Sequence, residues 1–186
     1  MAVDSAAALL VIDVQEGFDD PSWGPRNNPD AEANIAKLLA AWRAAGRPVF
    51  HAQHMSTEPG STLRPGQAGN AIKALAAPRP GERVIQKRVN SCFIGADLEE
   101  KLRQAGISSL VLVGITTNHC VSTTARMAGN LGFEVTVVSD ATATFDRRGP
   151  DGTVYPAALM HAVGLAELHQ EFAAILSTAS VLARLS

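Results

Sequence analysis

Cysteine is scarce in this chain. Two residues, Cys92 and Cys120, occur in 186 positions, with no C-x-x-C pair. A disulfide framework is thereby excluded, and a reducing cytoplasm is the simplest compartment. Charge of one sign is also lacking. The formal net charge is -2, both signs are interspersed, and no nucleic-acid partner is expected. No apolar run is long enough to span a bilayer, and Met1–Ala7 has no basic leader region, so a soluble cytoplasmic protein without a membrane partner is expected. Repeats and low-complexity blocks are missing. No G-x-G-x-x-G follows the first apolar run, which leaves dinucleotide binding without support.

The remaining pattern is an alternation of short β-branched apolar runs and helical stretches, long enough for one domain over 1–186 with a sizeable core. Strands are predicted at Ala7–Gln15, Pro48–His54, Arg83–Lys87, Ser109–Val113 ended by Gly114, Glu134–Val138, and Phe172–Leu176. Helices are predicted over Ala31–Ala45 with Asp30 as cap, Ala96–Ala105, a stretch with Val121, Ala125, Ala128 and Leu131 at helical spacing that Gly132 closes and that leaves Cys120 where strand turns into helix, Pro156–Leu168 with proline in its first turn, and Ser180–Leu185. A long Pro/Gly-rich loop from Met55 to Pro80, with a short helix near Ala68–Ala76, suits a lid or binding loop. This order gives a parallel sheet covered on both faces, a three-layer α/β/α sandwich of Rossmann-like type.

In such sheets ligands gather at the carboxyl ends of strands. Three chemically capable residues fall there: Asp13, Lys87 and Cys120. For each, a plainer reading stands beside the functional one. Cys120 is either a nucleophile or a small buried hydrophobe. Asp13 is either a catalytic acid or a turn cap. Taken together they form a chemical set. The thiolate attacks, the ammonium stabilises it, and the carboxylate moves a proton from the thiol to a leaving amine. Backbone N–H groups of the Ile115–Cys120 turn would receive the oxyanion, and no histidine is required. Around this set, Phe18, Trp23, His54, Arg64, Gln67 and Phe145 are candidates for the substrate pocket. Trp23 either lines the pocket or covers the core, and Arg64 and Gln67 either turn inward or stay solvated. His119 is expected to face away from Cys120, since neighbours on a helix diverge by about a third of a turn. Cys92 is expected to be a buried small residue.

The Asp13 strand with Gln15 and Phe18, the K-x-x-x-S-x-F run of Lys87, Ser91 and Phe93, and Gly114-Ile115-Thr116-Thr117-Asn118-His119-Cys120-Val121 together resemble the isochorismatase-like cysteine hydrolases. That family includes nicotinamidases, N-carbamoylsarcosine amidases and other amidohydrolases, and the resemblance spans nearly the whole chain. It implies a six-stranded parallel sheet, an Asp13-Lys87-Cys120 triad, a cis peptide before Thr116, and oxyanion donors at the N–H groups of Thr116 and Cys120. It also implies a small-molecule amide substrate, no cofactor, and a homo-oligomer, dimer or tetramer. The chain departs from nicotinamidases at one place. Their second strand carries an Asp-x-His metal motif, where this chain has His51-Ala52-Gln53-His54. No metal is therefore expected, although zinc can use two histidines and His51 with His54 leaves that open. True isochorismatases cleave a vinyl ether, and some lack the cysteine; retaining Cys120 favours a C–N bond. Vinyl ether hydrolysis and a non-catalytic binding module remain as alternatives. Leu63-Arg64-Pro65-Gly66-Gln67 with Thr142–Asp146 is similar to a subgroup containing streptothricin hydrolase, which opens a lactam.

Overall fold

The computed structural model describes residues 6–185. Positions 1–5 of the Met1–Ala7 stretch, and Ser186 of the expected 1–186 domain, lie outside the described residues. Six parallel strands form one sheet, in the order β3-β2-β1-β4-β5-β8. They are β1 (Ala8–Ile12), β2 (Val49–His54), β3 (Arg83–Lys87), β4 (Ser109–Ile115), β5 (Glu134–Ala143) and β8 (Ala174–Leu176). Two short antiparallel strands, β6 (Arg147–Arg148) and β7 (Val154–Tyr155), make a ribbon inside the loop that follows β5. The helices are α1 (Ala31–Ala44), α2 (Leu98–Gln104), α3 (Ser122–Asn130), α4 (Ala157–Leu168) and α5 (Thr178–Leu182).

Alternation along the central strands sorts the layers, because successive side chains point to opposite faces. Leu10, Ile12, Leu110 and Leu112 pack with Leu98 and Leu102 of α2, Ala125 and Ala128 of α3, and Leu168 of α4. Leu9, Val11, Val111 and Val113 pack with Ile35, Leu38, Leu39 and Trp42 of α1 and with Val181 of α5. β1 and β4 are buried over their whole lengths, which explains why their sequences run apolar without alternation. The result is the three-layer α/β/α sandwich. Among the described residues no helix is long and apolar enough to cross a membrane.

Several local expectations need correction. Gly114 does not end β4. It lies inside the strand at a register shift against β5, with φ +126. A Cβ there would stand 1.9 Å from the Ile12 carbonyl oxygen, so only glycine fits this contact between β4 and β1. We expect Gly114→Ala to cost more than about 3 kcal/mol of stability, read as a large fall in the thermal unfolding midpoint. β5 runs on to Ala143 rather than stopping at Val138, because its outer end pairs with β4 beyond the bulge. Asp30 sits at the start of α1 but its side chain makes no capping bond. Pro156 precedes α4 as its cap position instead of lying in the first turn.

Two acid-sensitive clasps hold the sheet's margins. Burial alone would raise the Glu32 carboxyl, but hydrogen bonds from Arg26 and Lys73 outweigh it and hold the group at about 2. Arg43, the Arg79 N–H and His51 act in the same way on Glu82, again to about 2. Each group therefore ionises lower in the folded chain than unfolded, where 4.5 is ordinary. Their stabilisation is complete above that value and is lost as pH falls toward 2. Acid unfolding should begin below about pH 4.5, and Glu32→Gln should flatten its pH dependence in a stability titration.

Candidate active site

The end of β1 makes an abrupt exit. Asp13 takes φ +52, left-handed for a non-glycine residue. Its N–H donates to the Ala52 carbonyl (3.0 Å) and its carbonyl accepts from Gln15 N–H (2.9 Å). The kink stops the strand and turns the carboxylate inward, 1% exposed. Backbone strain of this kind gathers where a side chain must be aimed. β3 contributes its last residue, Lys87, which sits in register beside His54 on β2. It too is 1% exposed.

Cys120 arrives from β4. After Ile115 the peptide bond to Thr116 is cis. The chain then makes a π-helical turn, Thr117–Val121, before α3 begins at Ser122. Cys120 thus lies where the strand turns into the helix, as expected, just ahead of α3. The Thr116 carbonyl accepts from the N–H groups of both His119 and Val121, closing the turn around the thiol.

These three side chains meet. Lys87 Nζ stands 2.6 Å from Asp13 Oδ2, 3.3 Å from Cys120 Sγ, 3.1 Å from His54 Nδ1 and 3.2 Å from the Val89 carbonyl oxygen. Asp13 Oδ1 is buried with no hydrogen-bond partner, an acceptor held open beside the thiol. Burial pushes the Asp13 carboxyl up, and the ammonium opposes that. For Lys87, burial is outweighed by Asp13 and Cys120, and its pKa rises. Burial also pushes the Cys120 thiol up. Asp13 adds to this and Lys87 only partly offsets it. The expectation that Lys87 lowers the thiol pKa is therefore corrected: burial and the Asp13 carboxylate outweigh the ammonium, and the net direction is upward. Cys120 Sγ points also toward Asn90 Oδ1 at 3.7 Å. Cys92 behaves as expected of a buried small residue. Its sulfur accepts from Thr124 Oγ1 (3.3 Å), and burial pushes its thiol up to about 12.

A cavity of about 730 Å³ opens above the three groups. Thr116, Phe18, Trp23 and His54 line it, with the 56–63 loop, Asn90, His119, Asp146 and Arg147. Phe145, expected in the wall, is 2% exposed and stacks behind it, on Trp23 at 5.2 Å and Phe18 at 6.0 Å. Arg64 and Gln67 do not reach the cavity. Arg64 is exposed and donates to the Pro59 carbonyl, and Gln67 is exposed over a separate depression beside Glu16 and Gly69. Loop turns at these residues point them outward, where their polar heads keep water. His119 does not face away. It borders the cavity, with Nδ1 3.4 Å from Arg147 Nη2, because the wide π turn spreads consecutive side chains differently from an α-helix. Asn90, Asp146 and Arg147 were missed by sequence reasoning. Asn90 alone had a positional signal, three residues beyond Lys87 in the turn after β3.

The question of a metal is settled by direction. His51 and His54 are three apart on one strand and point to opposite faces. His51 is fully buried against Glu82 (2.9 Å), and His54 faces Lys87. They do not share an ion. Asp13, His54 and Cys120 have ligand-type atoms within 4.8 Å of one another, but the Lys87 ammonium already stands among them. The residues do not fit a resident metal.

The Isochorismatase domain family model matches residues 7–180. An isochorismatase-family structure from Chromobacterium violaceum superposes with a TM-score of 0.94 at 49% identity, covering 98% of this chain and 94% of that one. Streptothricin hydrolase of Streptomyces noursei is 36% identical over 148 residues, 78% of this chain and 57% of that protein. Nicotinamidase 3 of Arabidopsis thaliana is 31% identical over 161 residues, 80% of this chain and 78% of that protein.

Proposed function

Since this chain belongs to the isochorismatase family of hydrolases, we propose that it hydrolyses a C–N amide or lactam bond of a small molecule through a thioester on Cys120. The observation that carries this reading is the position of Lys87 Nζ, 2.6 Å from Asp13 and 3.3 Å from the Cys120 sulfur, behind two residues that line the cavity. Relatives named for streptothricin and nicotinamide hydrolysis support the choice of bond.

The steps follow from the groups present. As Sγ attacks the carbonyl carbon, its proton passes to Asp13, so charge separation is avoided in a site that burial makes unfriendly to a free thiolate. The N–H groups of Thr116 and Cys120 receive the oxyanion. The intermediate collapses, the C–N bond breaks, and Asp13 returns the proton to the leaving nitrogen. Water then gives a proton to Asp13 and attacks the thioester. Sγ leaves and takes that proton back. Lys87 keeps Asp13 ionised before attack and offsets negative charge on sulfur during it.

The direct test is a rapid acid quench of the protein turning over a small amide, followed by intact mass measurement. A mass increase equal to the acyl group, absent from Cys120→Ala, is expected. Turnover without any adduct, retained in Cys120→Ala, would refute the thioester route. One observation favours a second reading, in which Asp13 acts as an acid on a vinyl ether: burial raises its carboxyl. In that case Cys120→Ala would keep activity on isochorismate while Asp13→Asn would lose it.

We also propose that the protein works as a homo-oligomer. The outer side of α4 and the adjoining ribbon expose Leu159, Val163, Val154 and Tyr155, apolar side chains that a second copy would cover. Sedimentation giving a mass above that of one 19.5 kDa chain is expected; a monomer would end this proposal.

A further inference from the structure

The cavity wall holds one arginine that forms no ion pair among the described residues. Arg26, Arg43 and Arg126 each bind a carboxylate, and Lys87 binds Asp13. Arg147, on β6, lines the cavity and has no acidic partner within ion-pair distance among the described residues. Its Nε is buried with no hydrogen-bond partner. Its Nη2 reaches His119 Nδ1 at 3.4 Å, a long contact to a neutral acceptor. Its guanidinium lies 5.9 Å from the Trp23 ring centre, at the outer limit of a cation–π contact. Asp146 and Glu58 border the same cavity, but neither stands within ion-pair distance of the guanidinium, and Asp146 Oδ1 accepts the Ala157 N–H at the start of α4. A half-buried guanidinium left in this state is costly, and the cost falls when a planar anion occupies its fork.

Resting on the amidase reading above, we propose that Arg147 is the specificity-determining residue of the site, and that the substrate is an amide bearing a carboxylate. Cys120 and Arg147 border the same cavity, so the reacting carbonyl sits over the sulfur while the carboxylate pairs with the guanidinium. The Trp23 and Phe18 rings form an apolar wall beside the span between them. Burial also pulls the Arg147 pKa down, which agrees with a charge that lacks an ion-pair partner.

The experiment uses matched probes on the intact protein. Ammonia release is measured from succinamate and from its methyl ester, with wild type, Arg147→Met and Arg147→Lys. The acid should be preferred over the ester in kcat/KM by about tenfold or more, the worth of a charge-assisted hydrogen bond. In Arg147→Met that ratio should fall to about one, mainly through KM; in Arg147→Lys part of it should return. Binding is read separately, as protection of Cys120 from iodoacetamide by succinate compared with neutral succinamide. Wild type should be protected better by succinate, and Arg147→Met equally by both. Equal protection by the two compounds in wild type, or the same preference in Arg147→Met, would overturn the inference. If neither amide releases ammonia, the protection assay still decides the role of Arg147, and the failure falls on the amidase reading alone.

Discussion

Cys120→Ala is expected to lower kcat/KM on any amide the wild type cleaves by about 10,000-fold or more, the scale on which nucleophile deletions act in covalent hydrolases. Stability should hardly change. The lost group is a single sulfur, 8% exposed where the core meets the cavity. Cys120→Ser should be almost as inactive. The proton acceptor would be unchanged, but a hydroxyl is a poorer nucleophile where burial already disfavours an anion. The pH profile should differ from that of enzymes with a resting thiolate. Burial raises both the thiol and the Asp13 carboxyl. Iodoacetamide should therefore react with Cys120 more slowly near neutral pH than with an ordinary thiol. Activity should fall on the acid side as Asp13 takes a proton, with a midpoint above the ordinary 3.8 of an aspartate.

Lys87→Met is expected to abolish turnover and also to weaken the fold. Removing the ammonium leaves Asp13 buried without its partner, a loss of about 3–5 kcal/mol when one half of a buried ion pair is deleted. Asp13 would then take up a proton and cease to be a base. Asp13→Asn should likewise be inactive and unstable, with the ammonium stranded. The double variant Asp13→Asn, Lys87→Met separates the two effects. Its stability should recover by a few kcal/mol, since neither charge remains, while turnover stays absent. Chemical denaturation gives the first quantity and ammonia release the second. A double variant no more stable than either single one would mean that the pair is not coupled as its 2.6 Å contact requires.

The sheet was legible because its signals are local. Leu110–Val113 and Leu9–Ile12 are apolar on both faces, which a buried parallel strand needs. β3 spans Arg83–Lys87 as expected, its Val84-Ile85 pair being the local strand signal. Gly114 was misread because a glycine after such a run has two meanings, a strand end or a bulge pressed against the next strand. What decides is the Ile12 carbonyl, a residue far away in sequence. The same distinction runs through the site. Asp13, Lys87 and Cys120 could be marked because each stands at the end of a recognisable strand. Arg147 could not, since nothing local tells a paired arginine from an unpaired one. Arg64 and Gln67 were placed in the wall on composition, and the direction of a loop side chain is set by turns that composition does not describe. His119 was turned the wrong way because an α-helical angle was applied to a π turn.

Gln15 has a mechanical consequence. Its amide donates to the His54 and Asn70 carbonyls and accepts the His54 N–H. One side chain thus rivets the exit of β1, the exit of β2 and the far anchor of the loop that roofs the cavity, two positions from the Asp13 carboxylate. Side chains along 57–61 can be exchanged to suit a new guest while the Leu63 carbonyl keeps its bond from Asn70 Nδ2. Shortening the loop on the Asn70 side would instead tug on Gln15 and drag Asp13 off its aim, so diversification of this scaffold is channelled into one half of the roof.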